Sequence, residues 1–237
     1  MAGRLSNALV AWYKMNDSLA TDVIIDETGN HNGVVKDATG TATSAFHSVA
    51  GKINNAQDFD GTDDHIEIAN HADFNVGTGD ISVFAWVNSD DDSAYQVIVS
   101  KDNYIDDISF RLMGDNKLQI YIDNVNLISA VAVGINAWHF VGFTRKLGTT
   151  KLYIDGVERG SSASLTGSID NAHNVCIGIR GNGLALPFSG LIDNVMFFNI
   201  ALSQSEVSQL YADGRGIGKL ADLDHSSRLH RSRRRYY

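Results

Sequence analysis

The 237-residue chain is poor in the residues that staple, break or span a fold. It has one cysteine, Cys176, which rules out an internal disulfide and a cysteine-based zinc site. Val175 and Ile177 flank it, and this setting reads as an inert buried thiol on a strand. Proline is equally scarce: Pro187 stands alone, so turn geometry must rest on Gly, Asp and Asn. No apolar run approaches the length of a membrane-spanning helix. The N-terminal Met1-Ala-Gly-Arg-Leu-Ser-Asn7 has no apolar segment followed by a small-residue cleavage site. No signal peptide is expected there, and the segment leads straight into an expected strand. Glutamate is rare too. Of 28 acidic residues only Glu27, Glu67, Glu158 and Glu206 are Glu; the rest are Asp, which favours turns, caps and oxygen-loving cations over helices. His-Glu-x-x-His, Gly-x-Ser-x-Gly and phosphate-loop motifs are missing as well.

What is present is alternation. Ile66 and Ile68, then Ile108, Phe110 and Leu112, then Leu118, Ile120 and Ile122, then Leu152 and Ile154 recur at period two, the mark of strands with one buried face. Gly114-Asp-Asn116 and Leu147-Gly-Thr-Thr150 read as hairpin loops, and Asp60-Gly61 and Asp155-Gly156 as tight hairpin turns. Ile81–Val87 and Leu191–Phe198 are apolar on both faces and read as central strands. Eleven to thirteen strands follow from this pattern, and regularly spaced strands imply a sandwich or barrel. One helix is signalled, by the capping box Ser203-Gln-Ser-Glu206, by Val207, Leu210 and Tyr211 at helical spacing, and by Gly214 beyond the end.

Charge is divided along the chain. Residues 215–237 hold seven Lys/Arg and two Asp, a formal +5, which leaves −14 on residues 1–214. Residues 1–214 read as one domain and 215–237 as a basic tail, flexible or bound to a partner. Through Arg231, Arg233, Arg234 and Arg235 the tail is the one route to nucleic acid, which the acidic body would repel. Docking on an acidic surface of another copy, and hence a homo-oligomer, is the favoured expectation for it.

Taken in order, Leu9-Val-Ala-Trp-Tyr13, Asp26-Glu-Thr-Gly-Asn30, Gln57-Asp-Phe-Asp-Gly61, Ile81–Val87, Trp138-His-Phe-Val141, Lys151-Leu-Tyr-Ile-Asp-Gly156 and Ser189–Ser203 resemble the laminin-G-like, concanavalin A-like jelly-roll family. The resemblance covers roughly residues 7–214. It implies an all-β, two-sheet antiparallel sandwich with one short C-terminal helix, and a module that binds sugars or proteins, often with calcium. The expected role is non-catalytic and lectin-like, at an extracellular or virion surface. A virion decoration, adhesion or other structural protein is the alternative, and a glycan-degrading enzyme a third reading. Glycosidases of this class place carboxylates as Glu-x-Asp-x-x-Glu, and none of the four Glu residues has that spacing.

Two kinds of site follow. For a structural calcium ion, the resemblance points to Asp26 and Asn30 in one loop and to Asp193 across the fold, with Asp17 as a fourth contributor. The competing reading makes Asp26 and Asn30 turn formers and Asp193 an acceptor of backbone hydrogen bonds. The run Asp58–Asp64 lacks the EF-hand spacing, and Asp90-Asp-Asp92 reads as a solvated loop. For a glycan, alternation turns Arg111, Tyr121 and Tyr153 outward, the ring and guanidinium chemistry that sugars require, provided that their strands are neighbours. The competing reading is an ordinary solvated sheet face. Tyr104 and Arg180, in or beside turns, supply a second candidate at a loop end.

Overall fold

The computed structural model describes residues 3–37, 43–102, 108–162, 164–181 and 185–224. Sixteen strands among these residues form two antiparallel sheets. In the first sheet the order is β14 (Val157–Ser162), β13 (Thr149–Ile154), β12 (His139–Lys146), β7 (Ile81–Ser89), β16 (Ser189–Phe198), β5 (Asn55–Asp60) and β4 (Ser48–Ala50), with β1 (Leu9–Tyr13) also paired to β16. In the second it is β11 (Val125–Ala132), β10 (Lys117–Ile122), β9 (Ile108–Leu112), β8 (Gln96–Lys101), β15 (Val175–Ile177), β6 (His65–Ile68), β3 (Gly33–Lys36) and β2 (Val23–Ile24). Among the described residues no helix is long and apolar enough to cross a membrane.

Alternation decides what lies between the sheets. Val83, Ala85 and Val87 of β7, Val141 and Phe143 of β12, and Val195 and Phe197 of β16 meet Phe110, Leu112, Ile120 and Ile122 of β9 and β10 in one buried core. The hairpins close as their sequences require. Leu147 and Gly148 (φ 49° and 83°) join β12 to β13, and Asp155 and Gly156 (φ 52° and 75°) join β13 to β14. Two consecutive positive φ values give the type I′ twist that matches paired strands. Asp60-Gly61 is different from the hairpin expected of it. Its flanking strands, β5 and β6, belong to opposite sheets, so the turn is a corner from one sheet to the other.

The first sheet is buried on both faces, which explains why its central strands read as apolar throughout. Trp12, Phe84, Trp86, Phe140, Tyr153, Met196 and Phe198 point away from the inter-sheet core into a second apolar layer. That layer is closed by the helix α1 (Arg4–Ala8), by α3 (Gln204–Tyr211), and by Ile217 and Leu223 beyond it. A second short helix, α2 (Ser44–His47), leads into β4. The N-terminus therefore starts with a helical turn and not directly with a strand. The capping box of α3 is present: the Ser203 hydroxyl accepts from the Glu206 amide while the Glu206 carboxylate accepts from the Ser203 amide. Ala212 and Asp213 take the left-handed conformation ahead of Gly214.

The expected boundary at residue 214 also moves. Ile217 is 7% and Leu223 0% exposed, so the packed body extends at least to Leu223. Residues 225–237, which carry most of the basic tail including Arg231, Arg233, Arg234 and Arg235, lie outside the described residues. Cys176 is buried, and burial pushes its thiol up to about 12, so it stays protonated and inert.

Candidate functional site

The outward face of the second sheet holds the best-built recognition surface. Strands β9 and β10 pair so that Arg111 faces Gln119 and Ser109 faces Tyr121. Because Phe110 and Ile120 point into the core, Arg111 and Tyr121 point out together. The Arg111 guanidinium carbon lies 5.2 Å from the centre of the Tyr95 ring and 5.6 Å from that of Tyr121. Its Nε donates to Gln119 Oε1 at 2.7 Å, and Tyr121 donates from its hydroxyl to Asn124 Oδ1 at 2.8 Å. Two rings and one amide thus fix the orientation of a planar cation. Burial holds the Arg111 pKa below its ordinary value, and the Arg180 charge acts in the same direction. The Asp102 carboxylate acts the other way, so the charges around Arg111 are of both signs.

The structure brings Arg111, Tyr121 and Arg180 to one region of this face and adds Tyr95, which the sequence reading missed. Tyr95 precedes β8, and the pairing of Val97 with Arg111 sets it beside the guanidinium. Only the register between these strands reveals that proximity. Tyr104 lies outside the described residues.

Tyr153 does not belong to this face. Its strand, β13, is in the other sheet, and its ring is 1% exposed in the second apolar layer, 6.0 Å from the Phe84 ring. It does point away from the inter-sheet core, as alternation requires. The segment after β16 covers that face, so the expected outward, ligand-accessible Tyr153 is corrected to a buried one. A groove of about 720 Å³ opens beside it, between β12–β13 and the start of α3. The groove's Arg4 and Lys151 are paired with Glu206 and Glu158, which leaves less charge for a ligand.

The residues expected to hold calcium are engaged otherwise. Asp26 Oδ1 accepts the amides of Trp12 (2.8 Å) and Thr28 (3.0 Å). Asp26 Oδ2 accepts the Thr28 hydroxyl and the amides of Asn30 (3.2 Å) and His31 (3.0 Å). Five protein donors occupy a carboxylate with about four lone-pair positions. Asn30 is exposed and donates to Thr28. Asp193 Oδ2 accepts the Ile53 amide at 2.8 Å and its Oδ1 accepts from Asn194 at 2.7 Å. Burial pushes the Asp193 carboxyl up to about 7, with these hydrogen bonds pulling the other way. Burial likewise raises the Asp17 carboxyl. Among the described residues Asp17, Asp26 and Asp193 do not form a group with converging ligand atoms. A calcium ion needs six to eight free oxygens, and this donor set does not fit one. Asp26 closes its loop and Asp193 ties Ile53 to the central strand. In the Asp58–Asp64 run, Asp60 and Asp64 likewise accept backbone amides within their own turn.

Comparison with known proteins agrees with this architecture. The binding domain of the Paraclostridial mosquitocidal protein 1 superposes with a TM-score of 0.67 at 20% identity, over 88% of this chain and 52% of that one. The binding domain of botulinum neurotoxin serotype D gives 0.66 at 17% identity, over 89% and 53%. Domain 4 of AbnA, an extracellular GH43 arabinanase from Geobacillus stearothermophilus solved with arabinotriose, gives 0.63 at 21%, over 85% and 97%. The chain thus spans about half the length of each toxin domain and nearly all of the arabinanase domain. Two of these are toxin binding domains and one is a domain of an enzyme, and Trypanosoma rangeli sialidase is also among the similar structures. Among curated proteins no sequence matches it. The family model for the concanavalin A-like lectin/glucanases superfamily matches residues 60–208, more than half of the chain, and the chain belongs to that family.

Proposed function

We propose that the domain is a non-catalytic module that binds an acidic glycan on the outward face of β8–β10. The observation that carries this reading is the Arg111 guanidinium held over the Tyr95 and Tyr121 rings, with its Nε committed to Gln119. Among the described residues Gln119 is the one hydrogen-bond acceptor of Arg111, and the two terminal nitrogens of the fork would serve a ligand's acidic group. A carboxylate or sulfate takes two parallel hydrogen bonds from such a fork, and sugar C–H faces cover tyrosine rings. Tyr95 is 41% exposed and offers that surface. The fixed charge of the Arg111 fork favours an acidic sugar over a neutral one. The arabinotriose complex of a domain with this fold is consistent with a sugar ligand.

The test is retention of the full chain on a glycan array of sialylated, uronic-acid, sulfated and neutral oligosaccharides, repeated with Arg111→Ala and Tyr95→Ala. Binding to acidic members, reduced at least tenfold in both variants with an unchanged far-ultraviolet circular dichroism spectrum, is expected. Retention that neither variant alters, or no retention at all, refutes the proposal.

A further inference from the structure

We propose that His31, His71 and Asp73 form a binding site for a divalent transition-metal ion, with zinc as the best fit, at one end of the second sheet. The sequence alone gives no hint of it, because His31 and His71 lie far apart in the chain. The register joins them. Gly33 of β3 faces Ile68 of β6, so the chain entering β3 and the chain leaving β6 meet at the same sheet end. His31 lies just before β3, and His71 and Asp73 open the 3-10 turn Ala72–Phe74 that follows β6.

Three ligand atoms converge there. His31 Nε2 lies 2.9 Å and His71 Nδ1 3.2 Å from the same oxygen, Asp73 Oδ2. All three ligating atoms lie within 4.8 Å of one another. A tetrahedral zinc site with bonds of about 2.0–2.2 Å has ligand-to-ligand edges of roughly 3.3–3.5 Å. Both separations are shorter than those edges, and outward movement of the exposed Asp73 carboxylate by a few tenths of an ångström admits the ion. The His71 Nδ1 lone pair, which takes the Asp73 amide at 3.2 Å, turns to the metal in the bound form.

The most buried member is also the most firmly held. His31 is 8% exposed; its amide donates to Asp26 Oδ2, and its carbonyl accepts the Tyr13 hydroxyl at 2.6 Å. Its ring packs 4.9 Å from Phe74 and 4.7 Å from His71. His71 and Asp73 are exposed, which leaves an entry path and a fourth position for water. Two imidazoles and one carboxylate suit zinc, cobalt, nickel or copper, whereas calcium and magnesium want oxygen alone. The Asp26 loop, which the sequence suggested as a calcium cradle, acts here one step removed, by fixing the backbone of a nitrogen ligand.

The test is isothermal titration of the full chain with zinc chloride, with stoichiometry from native mass spectrometry. It compares the natural sequence with His71→Ala and Asp73→Asn, both at exposed positions and both checked for folding by circular dichroism. The expected result is one zinc equivalent whose affinity falls at least tenfold in each variant, with no response to calcium chloride. Zinc binding unchanged in both variants places the ion elsewhere, for instance on the histidines near the C-terminus, and overturns the proposal. So does no zinc binding by the natural chain, or calcium binding that His71→Ala abolishes.

Discussion

Replacing Asp193 by asparagine tests how a carboxyl is kept inside the central strand of the first sheet. Asp193 is 0% exposed, and its carboxyl is raised from 3.8 to about 7, with burial as the leading cause. One pKa unit corresponds to about 1.4 kcal/mol, so a rise of this size is worth about 4 kcal/mol. The sign follows from which state binds the proton. Between pH 3.8 and about 7 the unfolded chain has released it and the folded chain keeps it. This group's contribution is therefore fully present below the lower value, and is lost as pH rises through the upper one. The substituted carboxamide carries no charge at any pH. It does carry an NH2 group where every neighbour, the Ile53 amide and the Asn194 amide group among them, is a donor. The protonated carboxyl carries one hydrogen there and the carboxamide two, so near pH 4 the added mismatch costs about 1–3 kcal/mol at most. Asp193→Asn should therefore be destabilising near pH 4 and gain about 4 kcal/mol relative to the natural chain by pH 8. Urea unfolding of both proteins at pH 4, 6 and 8 measures the difference, in which the other titrating groups cancel. Parallel stability curves refute the reasoning, and mean that Asp193 is ionised throughout, as a bound cation would hold it.

Two further predictions separate the sheet faces and the chain ends. Tyr153→Ala should cost about 3–5 kcal/mol by removing a fully buried ring, whereas Tyr121→Ala, on the open face, should cost under about 1 kcal/mol; urea unfolding compares them directly. A chain ending at Gly214 loses Ile217 and Leu223, each worth about 1.5–3 kcal/mol of burial, and should melt well below a chain ending at Asp224. Equal melting temperatures for these two chains would contradict the packing described for residues 215–224.

The sequence is most legible where one face of a strand is buried and the other solvated. Ile108, Phe110 and Leu112 against Ser109 and Arg111 announce their orientation, and β9 and β10 lie as alternation requires. The α3 helix is equally plain, because a capping box is a local device. Alternation loses its meaning on the first sheet, where both faces are apolar. Tyr153 is the casualty: its direction is correct, but a helix and a trailing segment far along the chain cover it. Asp60-Gly61 has hairpin chemistry but serves as a corner, since turn propensity does not specify which sheet receives the next strand. The Tyr95–Arg111 and His31–His71 pairs depend on register between strands distant in sequence, which no local pattern encodes.

The two layers also give the domain a front and a back. Leu5 and Ala8 near one end of the described chain and Leu223 near the other are buried in the same apolar layer on the first sheet. Arg111, Tyr95 and Tyr121 lie on the second sheet, facing the opposite way. A fluorophore or a fused domain attached beside Leu5 or Leu223 is therefore carried on the rear, and the arginine face projects the other way. Copies of a chain ending at Asp224, arrayed on a bead or a sensor chip through that end, would all present the same surface to solution, which suits avidity measurements on weak ligands.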